Sequence, residues 1–248
     1  MIDVHCHLEQ ADFNKDRQQV IDLCRKELKA LVTCCAHPRD FELTMKMVSD
    51  NKGFVFASAG IHPEYVKEIS QPEKESFFDA IRKNKNNLVA IGETGLDYNW
   101  IKETEWREKQ KQMFIEFINL AKELDLPLII HSRDAMAETL EILEEQKAER
   151  ALLHLFGDKN QLRRVIDNGW FISIGPLIKQ SKLHKKIVRD CPIEQIMLET
   201  DSPWFGFGKR ADPTCIKLVC EKIAEVKKIG FEEAWQKCGN NAKKFFIL

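Results

Sequence analysis

The chain predicts an α/β fold, a single-domain (β/α)8 barrel of the TIM type over residues 1–248, and three observations carry that expectation. Short apolar runs alternate with amphipathic stretches from one end to the other, the pattern of α/β architecture. The length, 248 residues, matches the about 250 that one closed barrel uses. The residues at which the apolar runs stop are chemically distinctive: His5, His7, Glu93, His131, His154 and Asp201. In a closed parallel barrel all strand C-termini meet on one face, where such folds build their active sites.

The runs read as buried parallel strands near residues 2–6, 30–34, 54–59, 88–92, 128–131, 151–154, 170–174 and 196–199. Helical patterns lie between them. The clearest runs from about Glu105 to Leu124, where Phe114, Phe117, Ile118, Ala121 and Leu124 form one apolar stripe. Asp212-Pro213 reads as an N-cap with proline at the first helical position, opening a helix that runs to about Lys228. A last helix begins after Gly230, with Glu232 and Glu233 at its positive end. No linker, low-complexity tract or charge block marks a second domain.

Bulk composition narrows the function classes. With 44% hydrophobic and 31% charged residues the chain is an ordinary globular one. A formal net charge of -1 supplies no global field for a polyanion, which local groups must hold instead. No apolar run reaches the roughly 18 residues of a membrane span, so no membrane role is expected. The first strand starts at once and leaves no room for a signal peptide. The eight cysteines show no paired CxxC spacing. They read as buried free thiols, and a reduced, cytoplasmic compartment and a monomeric state are the expectation.

Along the first strand, Asp3-Val4-His5-Cys6-His7 alternates faces, so His5 and His7 point the same way while Val4 and Cys6 pack outward. Two neutral imidazoles on one face can chelate an ion. Glu93 lies between glycines in Gly92-Glu93-Thr94-Gly95. Its carboxylate can bind two metals through two oxygens, which makes it the bridging candidate, while Asp97 orients the loop. His131 and His154 would complete a second metal with Glu93. Asp201, on one metal, could accept a proton from the attacking water as general base, since metal binding moves the pKa of water toward neutrality. Two dications offset by Glu93 and Asp201 leave about +2, which suits an anionic group such as a phosphodiester.

Around this set, His62 in Gly60-Ile61-His62-Pro63 is extended by the following proline and could donate to a substrate oxygen rather than bind metal. Arg133 could pair bidentately with a phosphate or form a structural ion pair. Trp204, Phe205 and Phe207 near Lys209 and Arg210 are candidates for base stacking beside backbone neutralisation, with ordinary packing at the barrel mouth as the alternative. His37 reads as a loop or rim residue. His184, among Lys179, Lys182, Lys185 and Lys186, reads as part of a solvated helix face, with a phosphate track along the lysines as the weaker alternative.

These motifs together resemble the TatD family of metal-dependent DNases, within the amidohydrolase-type barrels. The resemblance spans Ile2 to about Phe246 and rests on DVHCH at 3–7, GIHP at 60–63, GETGLDY at 92–98, LPLIIHSRDA at 126–135, HLFGD at 154–158 and ETDSP at 199–203. It implies two divalent metal ions, magnesium foremost, with zinc or manganese as alternatives. His5, His7 and Asp201 would hold one, His131 and His154 the other, and Glu93 would bridge. It further implies that His62 contacts the scissile phosphate and that DNA is the substrate, commonly degraded 3′→5′. Two segments depart from the family pattern. Leu155-Phe156-Gly157-Asp158 replaces Cys-Phe-Ser/Thr-Gly, and Lys209-Arg210-Ala211-Asp212-Pro213 keeps the basic pair and proline without the usual Asn.

The leading expectation is a deoxyribonuclease that trims single-stranded or frayed 3′ ends. The alternative is an amide or ester hydrolase, such as an aminoacyl-tRNA deacylase, using the same dinuclear site. A non-catalytic binding barrel is disfavoured because a scaffold needs no complete ligand set.

Overall fold

Strands β1 (Ile2–Cys6), β2 (Ala30–Cys35), β3 (Val55–Ala59), β4 (Leu88–Asp97), β5 (Leu128–Arg133), β6 (Ala151–Leu153), β7 (Phe171–Ile174) and β8 (Ile196–Leu198) form one parallel sheet, in sequence order, in the computed structural model, which describes residues Met1–Leu248. Helices α1 (Arg17–Arg25), α2 (Phe41–Asp50), α3 (Gln71–Lys83), α4 (Thr104–Leu124), α5 (Met136–Glu145), α6 (Leu162–Asp167) and α7 (Lys182–Asp190) cross between successive strands. After β8 come α8 (Ile216–Lys227) and α9 (Phe231–Phe246). This is the expected (β/α)8 barrel.

The seam between β8 and β1 is closed by short-range polar contacts rather than by a regular ladder. Asp201 N donates to His5 O (2.9 Å) and His7 N to Ser202 O (2.8 Å). The buried Asp3 carboxylate accepts from His5 N (3.2 Å), Thr200 N (3.1 Å) and Thr200 Oγ1 (2.6 Å). One side chain thus satisfies two backbone donors that a continuous strand pair would have consumed. The same contacts set β1's end against the segment carrying Asp201.

Two apolar layers hold the barrel. The larger lies between strands and helices; Phe114, Phe117 and Ile118 of α4 are fully buried in it. The smaller fills the barrel itself. Ile2, Val4, Ala30, Val32, Cys34, Ala90, Ile129, Leu152 and Met197 meet there, and Ala242, Phe245 and Phe246 of α9 close the N-terminal end. Burying each phenyl ring contributes about 2 kcal/mol. Asn241 fixes the plug by donating to Ile193 O (2.7 Å) and Ile196 O (2.8 Å).

Four sequence expectations change. Val4 belongs to the interior cluster rather than the outer layer. The β1–β2 register shifts between Asp3 and Cys6, and such a bulge breaks the strict alternation assumed for the strand. Strand β4 continues past Glu93 to Asp97, and β5 past His131 to Arg133. The segment after Asp212-Pro213 opens as a 3-10 turn, Pro213–Cys215, before α8 begins at Ile216. His184 is buried rather than solvated, its Nδ1 2.8 Å from Ser181 Oγ at the N-cap of α7. The cysteines are all free, and all but Cys215 are buried. No helix is long and apolar enough to cross a membrane.

Candidate metal centre

Each candidate side chain stands at the C-terminal mouth because of a local feature of its strand. His5 lies within the β1 register shift between Asp3 and Cys6, and His7 follows directly after the strand. Glu93 lies where β4 shifts register against β5, between Ile91 and Thr94. Gly92 (φ 141°) and Gly95 (φ 145°) make that path available. A Cβ would stand 2.3 Å from Ile129 O at Gly92 and 2.0 Å from His131 O at Gly95. Only glycine lets β4 lie so close to β5 while turning Glu93 inward. Asp201 follows β8 in the left-handed region (φ 50°), which Asp tolerates better than most residues.

Glu93 is the geometric centre. Its Oε2 lies 3.3 Å from His5 Nε2 and 3.5 Å from His7 Nε2; its Oε1 lies 2.8 Å from His131 Nδ1 and 2.9 Å from His154 Nε2. Asp201 Oδ1 adds to the first group, 3.5 Å from His5 Nε2 and 3.4 Å from His7 Nε2. The two imidazole pairs therefore face opposite oxygens of one carboxylate. Donor atoms about 2.1 Å from a common cation, at octahedral or tetrahedral angles, lie about 3.0–3.4 Å apart. The observed spacings cluster around that range.

Proton bookkeeping sharpens the fit. His7 Nδ1–H donates to Glu9 Oε1 (2.9 Å), and His131 Nε2–H donates to Asp97 Oδ2 (2.8 Å). In neutral rings the other nitrogens are then bare lone pairs, and both face Glu93. Acceptor meets acceptor in a buried space, an arrangement that only a proton or a cation between them resolves. Burial alone would lower the His7 imidazole, yet Glu9, then Asp201 and Glu93, hold it well above the usual histidine range. His154 is likewise held high against burial by Glu93 and Glu199. Burial alone would raise Glu93, but His154, His5, His62 and His131 keep it well below the carboxylate range. Glu9, Glu93, Asp97, Glu199 and Asp201 are all buried, and none is paired with Lys or Arg. Buried carboxylates without such partners need positive charge from another source, which a hard, multiply charged cation held by Glu93 and Asp201 would supply. The residues present fit divalent metal.

A second layer of side chains aims these donors. Glu9 Oε2 accepts from Thr33 Oγ1 (3.0 Å). Cys34 Sγ lies 3.2 Å from His5 Nδ1 and accepts from Ser58 Oγ (3.1 Å). Asp97 Oδ1 accepts from Asn99 N (2.9 Å) and Trp100 N (2.7 Å), so it both shapes the loop, as expected, and holds His131. Glu199 accepts from Leu155 N (2.6 Å) and Ser173 Oγ (2.8 Å) and stands 3.6 Å from His154 Nδ1. The sequence reading missed Glu9, Cys34 and Glu199 in these roles. Glu9 lies beyond the end of β1 at Cys6, so strand alternation does not single it out.

A TatD related DNase family model matches residues 2–247. The chain belongs to this family. Among TatD relatives, Deoxyribonuclease TATDN3 of Homo sapiens is 37% identical over 258 residues, covering 99% of this chain and 94% of its own length. The metal-dependent hydrolase YabD of Bacillus subtilis is 32% identical, covering 100% and 99%. The crystal structure of YjjV, a TatD homolog from Escherichia coli, superposes with a TM-score of 0.91 at 25% identity, covering 100% and 98%. This TatD chain is thus a metal-dependent hydrolase acting on ester bonds.

Other predicted residues fall at different depths of the TatD mouth. His62 Nε2 lies 3.7 Å from Glu93 Oε1 and 3.2 Å from His131 Nδ1. Its Nδ1 accepts from Glu64 N (3.2 Å), so the ring proton sits on Nε2. Burial and then His131 push its pKa down to about 3, which keeps it a neutral donor. His37 sits on the rim, edge-on to Tyr65 (4.8 Å). Arg133 is exposed at the end of β5. Lys209 is exposed on the loop after β8, but Arg210 is committed elsewhere. Its guanidinium binds Asp16 Oδ1 (2.7 Å) and Asp12 O (2.6 Å) and lies 4.7 Å over Phe13. That fork is engaged with the α1 side of the mouth, where the sequence reading placed it on the substrate.

Proposed function

We propose that this TatD hydrolase cleaves phosphodiester bonds in DNA, trimming single-stranded or frayed ends in the 3′→5′ direction with two divalent cations. The observation that carries the reading is Glu93, which faces His5 and His7 with one oxygen, where Asp201 Oδ1 approaches the same two imidazoles, and His131 and His154 with the other. Cations bound there would acidify a water molecule and draw electron density from the phosphoryl oxygens. The chain's own groups do the rest. Asp201 accepts the proton of the attacking water, being the more open to the mouth of the two carboxylates beside His5 and His7. His62 donates its Nε2 proton in a hydrogen bond to a phosphoryl oxygen. Arg133 extends its fork toward a neighbouring phosphate.

The relatives' names support the substrate: the human relative is a deoxyribonuclease. The test uses purified protein and a 5′-labelled single-stranded oligonucleotide with magnesium, manganese or zinc, with and without chelator. The expected product is a ladder shortened from the 3′ end, abolished by chelation. Degradation that survives chelation overturns the reading. A rate on aminoacyl or acetyl esters far above the rate on DNA replaces it with the ester-hydrolase alternative.

A further inference from the structure

Next to the metal centre, the loop after β8 exposes aromatic rings that the catalytic residues do not use. Trp204 is 46% exposed and Phe207 44% exposed. The Trp204 indole stands edge-on to His7 with centroids 4.8 Å apart. Lys179, on the neighbouring loop after β7, holds its ammonium 5.3 Å from the Phe207 ring centroid.

The loop itself is braced. Trp204 N donates to Asp201 O (3.0 Å), Lys209 N to Gly206 O (3.3 Å) and Ala211 N to Pro203 O (2.9 Å). Arg210 ties its far end to Asp16 and Asp12. A Cβ at Gly206 would stand 1.9 Å from Lys209 O, so the turn is closed as tightly as the backbone permits. Phe205 and Phe207 take left-handed φ values of 57° and 52°, unusual for bulky residues and sustained only by surrounding structure. Rings held outward by a rigid loop are preorganised for a flat ligand.

We propose that this loop is a stacking shelf for unpaired nucleobases. Trp204 receives the base of the nucleotide whose phosphate lies beside His7, while Phe207 receives the next base as Lys179 and Lys209 neutralise the intervening backbone. Aromatic faces accept any base, whereas a paired base keeps its faces in the duplex stack. The shelf therefore selects single strands and frayed ends. It rests on the phosphodiesterase reading and assigns that site its substrate selectivity.

Two measurements test it. The first is quenching of tryptophan fluorescence by a dT oligomer in chelator, which needs neither cations nor turnover. Native protein should show saturable quenching, an abasic oligomer of equal length should show none, and Trp204→Phe should remove most of it. Trp204→Ala should weaken oligomer binding about 5- to 100-fold, the range for loss of one stacked base, and Trp204→Phe should restore most of that loss. The second is kcat/KM on the oligomer against methyl p-nitrophenyl phosphate, which offers no base. Trp204→Ala should fall at least about tenfold further on the oligomer. Leu218→Ala, an exposed residue on α8, serves as the control and should change neither substrate. Equal losses on both substrates would mean that Trp204 merely props His7, and an absence of quenching by dT in native protein would mean that nothing stacks; either overturns the shelf. Quenching without turnover of either phosphodiester would sustain the shelf and sink the phosphodiesterase reading.

Discussion

A carboxylate as deeply buried as Glu93 costs several kcal/mol to desolvate unless positive charge stands beside it. Here both of its oxygens meet imidazole nitrogens within 3.5 Å. Glu93→Gln keeps the shape and removes the charge, so cations should lose their shared donor. Turnover should fall at least about 100-fold, bound metal measured by elemental analysis should drop, and circular dichroism should still report a folded barrel. Near-native rate would refute the bridging role. Glu9 acts one bond further out. Its Oε1 fixes the His7 tautomer from 2.9 Å, and loss of such a backing carboxylate typically weakens metal affinity about 10- to 100-fold. Glu9→Gln should therefore raise the cation concentration needed for half-maximal activity by that factor, with much of the rate recovered at saturating metal. An unchanged cation requirement would show that His7 is oriented by something else.

At the scale of elements, the strand paths carry the donors and the helices carry stability, and the two respond differently to substitution. Gly95→Ala places a methyl group 2.0 Å from His131 O at a backbone angle that L-residues avoid. Either β4 or β5 must move, so the variant should lose both metal and thermal stability, whereas a silent Gly95→Ala would mean that this part of β4 is plastic. On the outer surface, Ser70 and Glu73 form a complete capping box at the start of α3. Ser70→Ala should cost about 1 kcal/mol, lowering the melting midpoint by about 2–4 °C with activity unchanged. Strand placement was legible in the sequence because parallel strands buried on both faces read as unbroken apolar runs. The six central donors were legible because they interrupt those runs. What was not legible depends on three-dimensional neighbours. Val4 turns inward because of a bulge that no local residue type announces. β4 extends to Asp97 because two glycines let it follow β5. Glu9 looks like any loop carboxylate until Thr33 and His7 close around it. Arg210 looked available because its partner Asp16 lies 194 residues away in the chain.

Across the whole molecule the barrel divides into an end that folds and an end that reacts. The N-terminal end is sealed by apolar side chains of α9, whose packing does not involve the metal-centre residues. The C-terminal end gathers five buried carboxylates without a Lys or Arg among their partners, and without cations only protonated imidazoles can balance them. The fold should therefore persist on metal removal while being measurably weakened. A cation present at about 100 times its dissociation constant stabilises the native state by about 2.7 kcal/mol. For a chain of this size that corresponds to about 5–11 °C in melting midpoint. Thermal melts in excess chelator should show a single cooperative transition lowered by that order. Titrating magnesium, manganese or zinc back should restore it along a saturable curve, whose midpoint ranks the cations. The same titration in Glu93→Gln should show a much smaller rise, because the shared donor is gone. A midpoint indifferent to chelator and cation alike would mean that the mouth of the barrel holds no structural quantity of metal, and the dinuclear reading would fall with it.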